Sequence, residues 1–128
     1  MNALLALLLL AGSFTVPPPG SPSRKAILDG LRPAVQKQLG PNVEFNVALI
    51  RAQRDWAFVI VDPRRKGGKP IDGWRIFGEH FGNMDGLRIE AVLRRQGGRW
   101  VVVDHGIGAT DVWYCDVGPR SLKADWGC

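Results

Sequence analysis

Gly86-Leu87-Arg88-Ile89-Glu90-Ala91-Val92-Leu93-Arg94-Arg95-Gln96-Gly97-Gly98-Arg99-Trp100-Val101-Val102-Val103-Asp104-His105 reads as a single β-hairpin. Leu87, Ile89, Ala91 and Leu93 alternate with Arg88, Glu90, Val92 and Arg94, the period of a half-buried strand. Gly97-Gly98 supplies the positive φ angles that a two-residue hairpin turn requires. Trp100 to Val103 returns as a β-branched and aromatic strand. With Gly97 and Gly98 as the turn, an unbroken ladder pairs Leu93 with Val102, Ala91 with Asp104, and Glu90 with His105. That register puts Asp104 on the face shared by Leu93, Val102 and Trp100.

Upstream lies a second hairpin. Val43, Phe45, Val47 and Leu49 alternate with Glu44, Asn46, Ala48 and Ile50; Ala52 to Asp55 makes a polar turn, and Trp56 to Val61 comes back as a more fully buried strand. Asp62-Pro63 is expected to end it. Before this hairpin, Ile27, Leu28, Leu31, Val35 and Leu39 form a stripe at helical spacing. The helix is capped by Ser23, or by Ser21 with Pro22 in the first turn, and closed by Gly40 and Pro41. Pro33 inside it predicts a kink near Asp29–Gly30. The fold class is therefore α+β: one N-terminal helix, near 23–39, packed on a curved antiparallel sheet of four to five strands. Leu31 and Val35 are expected against Phe45, Phe58, Leu93 and Val102. For 110–117 two readings stay open, a helical turn begun by Thr110-Asp111 or a fifth strand; the helical turn is favoured.

The chain has 128 residues, enough for one domain. Leu4 to Ala11 is an apolar run followed by small residues, which fits an export signal over 1–13 and is far short of a membrane span. Its n-region lacks Lys and Arg, and Ser13 stands where a lipoprotein would carry its lipidated Cys. Residues 14–22 are Pro- and Ser-rich and read as an extended linker, leaving 23–128 as a single domain. A periplasmic or secreted protein is expected. In such a compartment the even pair Cys115 and Cys128 favours a disulfide, against two free or metal-bound thiols.

The run Arg24 to Val47, the segment Asp55-Trp56-Ala57-Phe58-Val59, and Leu87 through Tyr114 resemble small exported bacterial proteins of the cystatin-like or nuclear-transport-factor-like superfold. The resemblance implies a helix on a curved sheet. It implies no catalytic residues, because that superfold hosts enzymes, inhibitors and binding modules alike.

Three function classes follow. A non-enzymatic ligand- or partner-binding module would use the long connection from Arg64 to Asp85. There Arg64, Arg65, Lys66 and Lys69 stand among Gly67, Gly68 and Pro70, and Trp74 and Phe77 follow as apolar anchors. The formal charge of +5 suits an anionic envelope polymer or acidic protein partner. Nucleic acid would want more aromatics on the basic face than Trp74. A cystatin-type protease inhibitor would want Gln-x-Val-x-Gly at its first hairpin, where this chain has Ala52-Gln53-Arg54-Asp55-Trp56. A small enzyme would use Asp104 as acid or base in the sheet pocket, unless Asp104 merely caps the Gly106–Gly108 turn. His105, opposite Glu90, reads as a cross-strand ion pair. Glu79, His80, His105, Asp104 and Cys115 lack metal-ligand spacing, Ser121 lies in no nucleophile elbow, and no phosphate or dinucleotide fingerprint is present, so neither metal nor cofactor is expected.

Overall fold

A four-stranded antiparallel sheet is covered on both faces in the computed structural model, which describes residues 13–128. Helix α1 (Pro22–Leu39) lies on the first face; strands β1 (Val43–Gln53), β2 (Trp56–Arg65), β3 (Ile89–Gln96) and β4 (Arg99–Ile107) follow as a meander in the order β1-β2-β3-β4. A short helix, α2 (Gly73–Phe77), sits in the β2–β3 connection. The export-signal reading of 1–13 falls, Ser13 apart, outside the described residues. Among these, no helix is long and apolar enough to cross a membrane.

The Ser21 hydroxyl accepts the Arg24 amide and Pro22 occupies the first turn, so α1 takes the earlier of the two expected starts. Ile27, Leu31, Val35 and Leu39 are all buried, each contributing about 1.5–3 kcal/mol by leaving water. Pro33 lies inside α1, and the helix runs without a break from Pro22 to Leu39 through Asp29–Gly30, the place of the expected kink. Gly30 has a different use. A Cβ built there would lie 2.5 Å from the Trp100 carbonyl oxygen, so α1 rests directly on the β4 backbone.

The two outer strands each carry a β-bulge. On β1 the register shifts between Val47 and Leu49, which leaves Ala48 unpaired. Alternation had placed Leu49 with Val43 and Phe45; beyond the bulge Leu49 turns to the second face, while Ile50 joins the first. On β4 the hairpin begins as read, with Gly97 and Gly98 at φ 58° and 78° and Leu93 opposite Val102. Val103 is then skipped, so Asp104 faces Val92 and His105 faces Ala91. The expected placement of Asp104 on the helix face, and of His105 opposite Glu90, is thus reversed.

Phe58 belongs to the second face as well, its ring 4.9 Å from Tyr114 rather than under α1. Phe45, Leu93 and Val102 do share a cluster with Leu31 and Val35. The second face is covered by the C-terminal segment, which brings Tyr114, Cys115 and Leu122 over Phe58, Ile60 and Val92. It is built from two single 3-10 turns, Trp113–Asp116 and Arg120–Lys123. So 110–117 holds a short helical turn and no fifth strand, and that turn starts at Val112 without a side-chain cap. Cys115 and Cys128 form a disulfide with Cα atoms 5.4 Å apart, tying the chain end back to this cover. β2 continues past Pro63 to Arg65: its pairing with β3 stops at Val61–Ile89, so proline sits where β1 is the only neighbour.

Residues 14–22, read as a linker, are extended but attached. Thr15 and Ala52 exchange two backbone hydrogen bonds of 2.8 and 2.9 Å, Phe14 packs in the second cluster, and Pro17 is buried.

Two outcomes follow from this packing. Gly30→Ala drives a methyl group into the Trp100 carbonyl and is expected to cost about 1–3 kcal/mol, read as a lower urea midpoint with an unchanged slope; an unmoved midpoint would show that α1 does not sit this close. Replacing Cys115 and Cys128 together by Ser is expected to lower stability by about 3 kcal/mol in the chain-entropy account, with peptide mapping of the parent recovering the crosslinked pair.

Candidate functional site

The β2–β3 connection carries most of the residues singled out from sequence, and the structure divides them into two groups. Arg64 and Arg65 are engaged within the fold. Arg64 pairs with Asp62 at 2.6 Å. Arg65 donates from Nη1 to the Pro41 carbonyl at 2.9 Å and from Nη2 to the Leu39 carbonyl at 2.6 Å, satisfying acceptors at the α1 C-terminus. Its amide also donates to the Lys69 carbonyl at 2.8 Å, closing a small loop. Inside that loop Gly67 and Gly68 adopt φ 79° and 78°, which other residues rarely tolerate, and the Gly67 amide donates to Glu44 Oε1 at 3.1 Å. The loop tip thereby projects Lys66 and Lys69, both exposed, with no partner for either side chain among the described residues.

Beyond Pro70 the connection turns inward. Ile71 is buried, and Ile76 and Phe77 pack against the helix-side core. Phe77 is therefore an anchor to this chain's own core. Asp72 caps α2 by accepting the Arg75 amide at 3.2 Å. Trp74, one residue into α2, points the other way and is 59% exposed. It is nevertheless held: Phe81 meets it edge-on, ring centroids 5.2 Å apart at 85°. Phe81 in turn lies so close to Gly73 that a Cβ there would be 2.4 Å from its ring. An exposed indole braced edge-on, following two lysines without partners among the described residues, is what this connection presents.

Asp104 and His105 line an open groove of ≈ 480 Å³ between β4 and the second half of α1, together with Pro33, Ala34, Lys37 and Gln38. Asp104 is exposed, and its Oδ1 accepts the His105 amide at 2.8 Å. The bulge at Val103 pairs it with Val92, so it borders the groove from the strand's edge and, being exposed, is not the enclosed acid that an acid–base pocket requires. Glu79 and His80 lie in the turn after α2, far along the chain from Cys115, which is in the disulfide. Among the described residues no three His, Cys, Asp or Glu side chains gather as a metal-holding set.

The enclosed acid is Glu90, which had been read as a surface partner for His105. It is 3% exposed, beneath the C-terminal cover. Its strand neighbour is Gly106, where a Cβ would lie 2.8 Å from Trp113 Nε1; the missing side chain lets the indole lie against β4. Glu90 Oε2 lies 3.4 Å from Arg88 Nη2, while Glu90 Oε1 and Trp113 Nε1 are buried without a hydrogen-bond partner. Burial raises the Glu90 pKa above the ordinary carboxyl value; Arg88 opposes this, the nearby Trp113 indole opposes it more weakly, and Asp85 adds to it. The indole tempers the shift from nearby without reaching hydrogen-bond geometry. Tyr114 is shifted up too, by burial and then by Glu90. The unbroken apolar run Ala91-Val92-Leu93 beside Glu90 was the signal in the sequence: a strand buried on both faces buries its acid as well.

Comparison with protein-family models, with curated proteins and with solved structures found no match to this chain.

Glu90 makes stability fall with rising pH. In the folded chain it holds its proton to higher pH than in the unfolded chain, so its contribution is complete below the ordinary carboxyl value and is lost as pH climbs through the raised one. Glu90→Gln removes that dependence. The variant is expected to gain on the parent in melting temperature as pH rises from the ordinary carboxyl value through the raised one, and to hold a constant lead above it; parallel curves throughout would mean that Glu90 ionises freely in the folded protein.

Proposed function

We propose that this chain is a non-enzymatic binding module of the bacterial envelope, exported to the periplasm or beyond, and that the Lys66–Trp74 surface is where an anionic partner docks. The carrying observation is the outward indole of Trp74, edge-on to Phe81, in the same connection as two lysines that have no partner among the described residues. Charged side chains that have no internal partner are free to meet an external one, and an immobilised aromatic loses little entropy on contact. The disulfide is of the kind that persists in an oxidising compartment, which supports export. The order of α1 and the four-strand meander supports kinship with the cystatin-like or nuclear-transport-factor-like superfold.

The other two classes have less behind them. An acid–base enzyme built on Asp104 would rest on a solvent-exposed carboxylate. For a cystatin-type inhibitor the first hairpin would have to enter a protease cleft. Here its tip, Arg54-Asp55, is clamped: Arg95 donates to Asp55 Oδ1 from Nε at 3.2 Å and from Nη2 at 3.1 Å, and its amide to the Asp55 carbonyl at 2.6 Å.

The test leaves Arg65 in place, since it serves the α1 carbonyls. Lys66→Ser with Lys69→Ser is expected to keep the parent melting temperature while losing retention on envelope extract at low salt. The parent's own retention should weaken as ionic strength approaches physiological, where exposed charges are screened beyond ~8 Å. Undiminished retention of the double variant would remove the anionic-partner reading.

A further inference from the structure

The surroundings of Trp74 narrow the partner. We infer that the surface takes an anionic polysaccharide, with one sugar ring stacked on the Trp74 indole and the acid groups of the polymer met by Lys66, Lys69 and Arg75; this rests on the binding reading above and names its ligand class.

Two kinds of anionic partner would use a tryptophan differently. A protein interface centres its aromatic anchor in a contiguous apolar patch that excludes water. Around Trp74 there is no such patch. Its neighbours along the two turns are Arg75, Glu79, His80, Gly82 and Asn83, all exposed, with the half-buried Phe81 as the one apolar side chain beside it; Ile71, Ile76 and Phe77 are turned into the core. The other large apolar side chains exposed among the described residues, Val16, Val101, Val103 and Val112, belong to other parts of the chain. A lone flat apolar plate in polar surroundings matches a ligand with the same make-up: a hydrated molecule whose only apolar surface is the C–H face of a pyranose ring.

The plate is also pre-set. Phe81 braces the indole edge-on, and Phe81 is itself lodged against Gly73. Gly82 flanks the far rim of the ring, where an added Cβ would lie 3.4 Å from the indole Cη2, in van der Waals contact. The amide of Arg75 is taken by Asp72, while its side chain, exposed, has no partner among the described residues. Lys66 and Lys69 stand on a loop whose glycines at φ 79° and 78° permit a tight, projecting turn. Along the chain, Lys66 and Lys69 precede the stacking residue and Arg75 follows it, so a polymer that reaches them gathers repeated weak contacts.

The experiment is affinity electrophoresis of the full chain through gels containing polygalacturonate, or poly-L-glutamate as an anionic polymer without sugar rings. Trp74→Ala is expected to weaken retardation by polygalacturonate about tenfold and to leave the weaker retardation by poly-L-glutamate unchanged. Trp74→Tyr, which keeps a flat ring against Phe81, should restore most of the polygalacturonate effect, and matching melting temperatures show that neither change unfolds α2. Equal retardation by the two polymers, or a Trp74→Ala variant retarded like the parent, overturns the stacked-sugar inference while leaving a charge-driven partner standing. Retardation by either polymer that survives Lys66→Ser with Lys69→Ser overturns the anionic-partner reading itself, as does no retardation of the parent in either gel.

Discussion

A sheet has two faces to cover, and this chain has one long helix with which to do it. α1 takes the first face in the usual way, with one buried residue per turn and polar residues outward. The second face is left to a C-terminal segment of single 3-10 turns, which cannot satisfy its own carbonyls as a helix would. The segment's own amides meet some of those acceptors, and side chains supply further donors. Arg51 reaches over from β1 to the carbonyls of Leu122 and Ala124 at 3.1 and 2.8 Å, and its guanidinium also sits 4.2 Å from the Phe14 ring centroid. Lys123, fully buried, donates to the carbonyls of Val117 and Pro119 at 2.7 and 2.6 Å, its pKa lowered chiefly by that burial. Tyr114 donates to the Trp126 carbonyl at 3.0 Å, and the disulfide closes the last turn. The cover is a scaffold of side-chain donors around an irregular backbone.

The same habit recurs on the other face, where Arg65 serves the end of α1 and Arg32 donates to the Val43 carbonyl. This changes what the formal charge of +5 means. Arg32, Arg51, Arg65 and Lys123 are cations whose hydrogen bonds go to this chain's own carbonyls. A composition-based argument for an anionic partner counts all of them; the structure leaves a smaller set facing outward, and Lys66, Lys69 and Arg75 are the members that share the β2–β3 connection with Trp74.

How much could be read in advance depended on whether a feature is periodic. The stripe from Ile27 to Leu39 and the Gly97-Gly98 turn are local signals with one physical reading each, and α1 and the β3–β4 hairpin followed from them. The bulges at Ala48 and Val103 have no comparable signature, since each is one extra residue in a run of strand formers. A single skipped residue reverses every assignment beyond it, which is why Leu49, Asp104 and His105 came out on the wrong faces. Phe58 was misplaced for another reason: Ala57 to Val61 is apolar on both sides, so alternation could not say which residue faced α1. The cover over Glu90 was illegible because 3-10 turns held by distant arginines leave no period. Of the candidate surface, the exposed lysines could be read from composition, but the inward turn of Phe77 and the helix-capping work of Arg65 depend on tertiary contacts.

The two bulges also shape the open margins of the sheet. β1 and β4 are the open margins of the sheet, and such margins invite a further strand from another molecule. β4 is the more inviting, with Val101 and Val103 45% and 46% exposed. A strand arriving at either margin meets a ladder that changes phase midway, at Ala48 or at Val103, so hydrogen bonds aligned on one side of the break are misaligned on the other. Near its hairpin end β1 is already occupied by Thr15, paired with Ala52. The irregularities that hid the register of the sheet also leave both of its margins poorly matched to an incoming strand.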